Sequence, residues 1–140
     1  MIHFETSRLI IKTNLELDNG ILVFPKQSGN LIDLKPHKIE DGGFAVYLKE
    51  TDNLVCHIGI RSDRKPFELT IGTEDGYKRK GYMSEAHSAV IKWIFDNCKT
   101  ESICALVGSL TPEACRKILS RDGFSRIDEG KMEWWIKKRN

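Results

Sequence analysis

The chain has 140 residues, which suits one compact domain with a single core, and we expect residues 1–140 to form that domain. Apolar residues make up 40% and charged residues 30% of the chain, as in ordinary soluble globular proteins, which argues against long disorder. The net charge of +2 does not favour a nucleic-acid partner. The basic tail of Lys137, Lys138 and Arg139 is expected to be solvated.

The first ten residues lack the basic and apolar regions of a secretory leader. No window reaches the roughly 18 apolar residues that a membrane span requires, so we expect a cytoplasmic protein with no membrane partner. The cysteines do not form a CxxC pair and stand in apolar surroundings. Buried free thiols are therefore expected rather than metal ligands, at Cys56, Cys98, Cys104 and Cys115.

The amino-terminal part of the chain predicts strands and turns. Arg8–Lys12 is rich in β-formers and predicts a first strand. Glycines and prolines then interrupt Leu15–Pro36, where no helix is expected. Two short apolar pieces, Ile21–Phe24 and Leu31–Leu34, predict a hairpin around a turn at Gln27–Asn30.

The centre of the chain predicts an antiparallel meander followed by a helix. The strands are Phe44–Lys49, Leu54–Arg61 and Phe67–Thr73, separated by clusters of turn residues. Apolar residues then recur at spacings of three and four, which predicts a helix over Met83–Asn97 with one buried face.

The carboxyl-terminal third predicts a strand, a helix and two closing strands. Ser102–Val107 is an apolar strand, and Thr111 is predicted to cap a second helix that has Pro112 at its first position. Gly123 is predicted to end that helix. The last two strands are predicted at Phe124–Ile127 and Met132–Ile136. The element order predicts a mixed α/β fold.

The segment Tyr77–Ala86, with the sequence YKRKGYMSEA, lies between a predicted strand and a predicted helix. A helix N-terminus presents backbone N–H groups without intrahelical partners, together with a partial positive charge. Gly81 allows the backbone to approach a ligand, and three basic residues precede it. This arrangement predicts a phosphate site, although a solvated connection is the alternative interpretation.

Two motifs of the chain, in this element order, resemble those of the GNAT superfamily of N-acyltransferases. The first is Thr6-Ser7-Arg8-Leu9 at the opening strand. The second is the basic loop around Gly81, which continues as Ser-Glu-Ala. The resemblance is strongest for the branch that includes ribosomal-protein acetyltransferases. It implies a central, mostly antiparallel twisted sheet flanked by helices.

Several positions depart from the pattern of that family. Met83 replaces a small residue of the pyrophosphate loop, and its side chain would crowd a phosphate unless it turns into the core. On the second helix, Pro112 and Cys115 stand where the family has Asn and Ser, and Leu119 stands where many members have a tyrosine. The two helices that cover the acceptor pocket in the family are missing or reduced, so the sequence does not define which acceptor is used.

The resemblance implies that acetyl-CoA is the cosubstrate and that no metal is used. The acceptor would be a small-molecule amine or a peptide, and a homodimer would be one way to complete an open pocket. The residues implied to bind the cosubstrate are Leu69, Ile71, Lys78, Arg79, Lys80, Gly81, Tyr82, Met83 and Ser84.

Two residues are the catalytic candidates that the resemblance implies. Glu68 would take a proton from the attacking amine, since it interrupts an apolar strand at the position of a family glutamate; the alternative is a solvent-facing side chain. Cys115, or water, would donate a proton to the departing thiolate of coenzyme A. His57 is a weaker candidate base. The competing hypothesis is a non-catalytic module for acyl-CoA binding or protein interaction with the same fold.

Overall fold

The structure, a computed structural model, describes residues 2–23, 42–62, 66–108, 111–129 and 132–140. The described strands before the first helix are β1 (Ile2–Glu5), β2 (Leu9–Thr13), β3 (Glu16–Asp18), β4 (Ile21–Val23), β5 (Gly43–Leu48), β6 (Leu54–Arg61) and β7 (Phe67–Thr73). The remaining elements are α1 (Tyr82–Asn97), β8 (Ser102–Val107), α2 (Glu113–Arg121), β9 (Ser125–Glu129) and β10 (Met132–Lys138).

Eight of the described strands form one sheet in the order β1-β2-β5-β6-β7-β8-β10-β9. Neighbouring strands are antiparallel, except that β7 and β8 are parallel and are joined through α1. The predicted mixed α/β fold with a mostly antiparallel sheet is therefore confirmed. The predicted bounds of β6, β7 and β8 agree with the structure residue by residue.

The core lies between one face of this sheet and the helices. Cross-strand partners such as Phe44, Ile58 and Ile71 share that face, because side chains of paired residues point to the same side. Trp93 of α1 packs against Phe44 and stacks on Phe4, with ring centroids 5.8 Å apart in both pairs. We call this side the helix face, and the other side the opposite face.

Only the first strand of the predicted hairpin is described, so its pairing with Leu31–Leu34 stays a prediction. Ile21–Val23 is a strand, and it pairs with Glu16–Asp18. A two-residue turn at Asn19 and Gly20, where both residues have positive φ, joins these two strands in a tight hairpin. The predicted turn at Gln27–Asn30 and the piece Leu31–Leu34 lie outside the described residues. β1 was not predicted.

The predicted cap of the second helix is wrong. Pro112 itself occupies the N-cap position, and no side chain caps the helix. The hydroxyl of Thr111 instead accepts a hydrogen bond from the backbone N–H of Gly108 at 2.9 Å, because the turn before the helix brings these two residues together. Gly123 has a φ of +88°, which confirms the predicted end of α2.

The carboxyl-terminal tail is not simply solvated. Arg139 donates hydrogen bonds to the carbonyl oxygens of Phe95, Cys98 and Thr100, at distances between 2.5 and 3.0 Å. These carbonyl groups lie in the last turn of α1 and just after it, where carbonyls lack intrahelical partners and a cation is favourable. Arg139 therefore stabilises the end of α1.

Among the described residues, no helix is long and apolar enough to cross a membrane.

Candidate active site

The sheet divides between its two parallel strands. β7 and β8 pair only at Phe67 with Ile103, Glu68 with Cys104, and Leu69 with Ala105. Beyond that point β7 stays paired with β6 as far as Thr73, and β8 stays paired with β10 as far as Val107. The two strands therefore separate, and the backbone edge of β7 after Leu69 faces a gap rather than a neighbouring strand.

This gap opens into a cleft of about 540 Å³. Its walls come from both separated strands and from both helices: Leu69, Thr70, Ile71, His87, Ala105, Leu106, Val107, Gly108, Thr111, Pro112, Cys115 and Leu119. Most of these residues are apolar. The cleft can therefore hold a group that is largely apolar.

The basic loop between β7 and α1 has an unusual backbone. Arg79 and Gly81 both have positive φ, at 64° and 79°. Gly81 is the N-cap of α1, and the helix has no side-chain cap. The first intrahelical bond runs from the N–H of Glu85 to the carbonyl of Gly81, so the preceding amides of the first turn are available to an anion. Left-handed residues of this kind are typical of ligand clamps.

A network from the start of the sheet fixes this loop. The carboxylate of Glu85 accepts hydrogen bonds from the Thr6 hydroxyl, from the Arg8 backbone N–H at 3.0 Å and from the Arg8 guanidinium at 2.9 Å. Arg8 also donates to the carbonyl of Lys80 at 3.1 Å and lies over the Tyr82 ring at 4.6 Å. The two motifs that carry the resemblance thus contact each other, and Arg8 offsets the charge of Glu85 beside the predicted anion site.

Burial alone would raise the pKa of Glu85, but the hydrogen bonds from Thr6 and Arg8 and the charge of Arg8 together outweigh it. The pKa of Glu85 is therefore lowered, and the carboxylate stays ionised at neutral pH. An ionised carboxylate in the first turn of a helix is itself favourable, because it interacts with the positive end of the helix dipole.

Met83 does not crowd the loop. Its side chain is only 7% exposed and belongs to the hydrophobic core. The residue therefore turns away from the helix N-terminus, and the backbone N–H of this position stays in the first turn of α1. The larger side chain that replaces the small residue of the family pattern therefore packs in the core and leaves the loop unobstructed.

Arg121, at the end of α2, adds a cation that the sequence analysis did not assign. Its guanidinium donates to the hydroxyl of Ser84 at 2.6 Å, so the last turn of α2 meets the first turn of α1. Together with Lys78, Arg79 and Lys80, it makes the surroundings of the helix start strongly basic. In the sequence, Arg121 stands two residues before Gly123, the glycine from which only the end of the helix was predicted.

The next turn of α1 carries a buried histidine that the sequence analysis did not assign to the site. His87 Nδ1 contacts the carboxylate of Asp122, which also accepts a hydrogen bond from the Ser88 hydroxyl at 2.6 Å. His87 lines the cleft. A histidine at a position where the helical repeat requires an apolar side chain was the available signal.

Glu68 lies on the opposite face of the sheet, beside the point where β7 and β8 separate. It pairs with Arg61 across β6 and with Cys104 across β8, and its side chain is half-buried. Thr70, two residues further along the same face, is exposed and also lines the cleft. Glu68 is therefore separated from α1 and α2 by the sheet, but it is adjacent to the gap.

Cys115 and His57 lie on different sides of the sheet. Cys115 is half-buried on α2 and lines the cleft, and burial raises the pKa of its thiol despite the opposing charge of Arg116. The other three cysteines are buried free thiols, as predicted. His57 is on the opposite face with its ring over Gly72, where any side chain would collide with it. Its Nδ1 lies 3.9 Å from the Glu74 carboxylate.

A sequence profile described as the acetyltransferase (GNAT) domain matches residues 25–125, which is most of the chain. The chain therefore belongs to the GNAT acetyltransferase family. No curated protein matches the sequence.

Solved structures share the fold. An acetyltransferase from Agrobacterium tumefaciens is similar with a TM-score of 0.69 and 14% identity, over 99% of this chain and 95% of that one. A ribosomal-protein-S5-alanine acetyltransferase from Vibrio fischeri has a TM-score of 0.65 and 15% identity, over 99% and 97%. The ribosomal L7/L12 alpha-N-protein acetyltransferase RimL, solved in complex with coenzyme A, has a TM-score of 0.57 and 8% identity, over 68% and 60%.

Proposed function

We propose that this chain transfers the acetyl group of acetyl-CoA to a primary amine, which attacks the thioester directly. The observation that carries the proposal is the separation of β7 from β8 into a cleft beside the uncapped, glycine-started N-terminus of α1. A narrow apolar cleft next to an anion site suits a ligand with an apolar arm and a phosphate group.

The residues present fit acetyl-CoA. The left-handed backbone at Arg79 and Gly81 and the free amides at the start of α1 would hold the pyrophosphate. A Cβ built on Gly81 would meet only the Arg8 guanidinium, at 3.4 Å, so this side of the backbone is open to a ligand. Besides Gly81, the proposed pyrophosphate contacts are Lys78, Arg79, Lys80, Tyr82, Met83 and Ser84. The backbone of Leu69 and Ile71 would line the arm.

Acetyl-CoA, when bound, supplies the activated acetyl thioester. Backbone N–H groups of β7 near Leu69 and Ile71 would orient and polarise the thioester carbonyl, because this edge of the strand has no described strand partner beyond Leu69. Glu68 would take the proton that a primary ammonium must lose before its nitrogen can attack. Its place beside the gap, on the face away from the helices, supports an acceptor arriving from that side.

Cys115 would donate a proton to the departing thiolate of coenzyme A. It lines the cleft on the helix face, whereas Glu68 is on the opposite face, so the two protons would be handled on different sides of the sheet. Burial raises the pKa of Cys115, so its thiol is protonated at neutral pH. The same shift makes it a weak acid, and we therefore propose a modest contribution, with water as the substitute.

The acceptor we propose is a small-molecule amine or the amino group of a peptide. The test is release of the coenzyme A thiol from acetyl-CoA in the presence of a panel of small amines and peptide N-termini. Amine-dependent release that is lost on Glu68→Gln would support the proposal. Tight binding of acetyl-CoA without release in any condition would contradict catalysis and favour the non-catalytic module.

A further inference from the structure

The cleft contains one buried side chain whose polarity its walls do not explain. His87 is 0% exposed, and its ring lies 5.7 Å from the ring of Phe124, centroid to centroid. It lines the cleft together with apolar residues of both strands and of α2, including Leu119. Buried polar groups are normally hydrogen-bonded, so each nitrogen of this ring requires a partner.

One nitrogen has its partner within the protein. His87 Nδ1 contacts the Asp122 carboxylate. Burial would raise the pKa of Asp122, but hydrogen bonds from His87 and Ser88, with the charge of Arg121, lower it overall. Asp122 is therefore ionised at neutral pH and can only accept. Nδ1 must then carry the hydrogen, which fixes both the tautomer and the orientation of the ring.

The other nitrogen has none. His87 Nε2 is buried, and it has no hydrogen-bond partner among the described residues. With the hydrogen fixed on Nδ1, a neutral ring leaves Nε2 with an unused lone pair. A buried acceptor that the protein leaves unpaired is explained when a ligand brings the donor.

We infer that His87 is a ligand-binding residue of the cleft, and that Nε2 accepts a hydrogen bond from an amide N–H of the pantetheine arm of the cosubstrate. The inference rests on the proposed function, since it requires acetyl-CoA in this cleft. The arm is the matching part because it carries amide N–H groups along an otherwise slender, apolar chain. Asp122 acts as the positioning residue for the imidazole.

The test compares coenzyme A with 3′-phospho-ADP, which has the adenosine, the 3′-phosphate and the pyrophosphate of coenzyme A but no pantetheine arm. For His87→Leu we expect the affinity for coenzyme A to fall by about tenfold, the equivalent of one hydrogen bond, and the affinity for 3′-phospho-ADP to stay the same. The matched variant His87→Gln keeps a polar group near the position of Nε2 and should recover part of the loss. An unchanged affinity for coenzyme A, or an equal loss for both ligands, would overturn the inference.

A second measurement uses the unaltered protein and does not depend on how a variant folds. Nitrogen NMR of the histidine rings should show His87 with its hydrogen on Nδ1. Coenzyme A should shift the Nε2 resonance, and 3′-phospho-ADP should not. If coenzyme A binds but does not shift the Nε2 resonance, this inference is overturned and the proposed function stands. Failure of the unaltered protein to bind coenzyme A at all would overturn the proposed function, and this inference with it.

Discussion

The two walls of the cleft are built on different principles. The wall formed by β7 and α1 continues into the basic loop, where the backbone is the distinctive feature: left-handed residues at Arg79 and Gly81 and an uncapped helix start. The wall formed by β8 and α2 presents side chains, mostly apolar, with Cys115 and Leu119 facing the cleft. The basic loop and helix start at the end of the first wall suit the charged end of a ligand, and the cleft between the two walls, with His87 on the first and apolar side chains on the second, suits its arm.

The difference teaches where the family pattern is retained. The backbone wall depends on a few local residues and on the Arg8–Glu85 contact; Gly81 and the Ser-Glu-Ala run match the pattern, and the one departure named there, Met83, turns into the core. The side-chain wall departs from it at Pro112, Cys115 and Leu119. We therefore expect changes in the first wall to affect cosubstrate binding strongly, and changes in the second wall to affect it less.

The largest effect is expected at Gly81. Gly81→Asp would place a negative charge beside the pyrophosphate, and at roughly 5 Å and an effective dielectric constant of about 20 the repulsion is about 3 kcal/mol, or about 100-fold in affinity. The control is Gly81→Asn, which has nearly the same shape and a similar tolerance of positive φ but no charge. Calorimetry with acetyl-CoA measures both variants. Equal affinities would remove the phosphate from this loop.

The next effect is expected at Glu68. Glu68→Gln removes the proposed proton acceptor, and we expect the rate of acetyl transfer to fall by about 100-fold at neutral pH, with acetyl-CoA affinity unchanged. Glu101→Gln is the matched control, because Glu101 is exposed and precedes β8 outside the cleft. Steady-state kinetics separates the rate from KM. A Glu68→Gln variant with the activity of the unaltered protein would exclude Glu68 as the base.

A smaller effect is expected from the network that holds the backbone wall. Glu85→Ala leaves the Thr6 hydroxyl and two donors of Arg8 without their acceptor. We therefore expect the free energy of unfolding to fall by about 1 to 2 kcal/mol. Glu85→Gln keeps an acceptor oxygen and should lose less. Denaturant unfolding measures both. The same stability in all three proteins would show that the network does not hold the loop.

In the side-chain wall, Cys115→Ala should lower the rate by only about five- to tenfold, since water can replace a weak acid. Cys115→Ser places a hydroxyl where the thiol was and tests whether a proton at this position matters.

A second readout for Cys115 is the reaction of the thiols of the native protein with a labelling reagent. Cys115 should react before the three buried cysteines, and coenzyme A should slow it. Labelling of Cys115 at the same rate with and without coenzyme A would place the ligand elsewhere.

The smallest effect concerns how α2 is attached to the sheet. The Arg116 guanidinium donates to both carboxylate oxygens of Glu133 at 2.9 and 3.0 Å. Hydrogen bonds from Arg116 and then from Trp135 lower the pKa of Glu133 to about 2. Because the folded pKa is the lower one, this stabilisation is present above the unfolded value and is lost as the pH falls toward 2. Acid titration of unfolding should show a weaker pH dependence for Glu133→Gln; an identical profile would contradict the assignment.

The sequence predicted what local patterns decide. The bounds of β6, β7 and β8 follow from alternation and turn residues, and the loop follows from one glycine, three basic residues and the helical repeat after them. The strand at Ile21–Val23 was predicted, but its pairing with Glu16–Asp18 through the short Asn19–Gly20 turn was not. The cap at Thr111 was wrong because a proline occupies the N-cap position that was assigned to the threonine.

The contacts that complete the site could not be predicted, because they join residues far apart in the chain. Arg8 and Glu85 are 77 positions apart, and His87 and Asp122 are 35 positions apart. Only the pairing of β2 into the sheet and the packing of α2 beside α1 bring them together. The role of His87 in particular depends on which nitrogen Asp122 contacts, and that is a property of the folded chain.

The most direct test of the account is a calorimetric titration of the full chain with acetyl-CoA, with 3′-phospho-ADP in parallel. We predict micromolar binding of acetyl-CoA and weaker binding of 3′-phospho-ADP, because the first ligand engages both walls and the second only the backbone wall. Equal affinities for the two ligands would show that the cleft does not hold the arm, and no binding of either would contradict the assignment of the site.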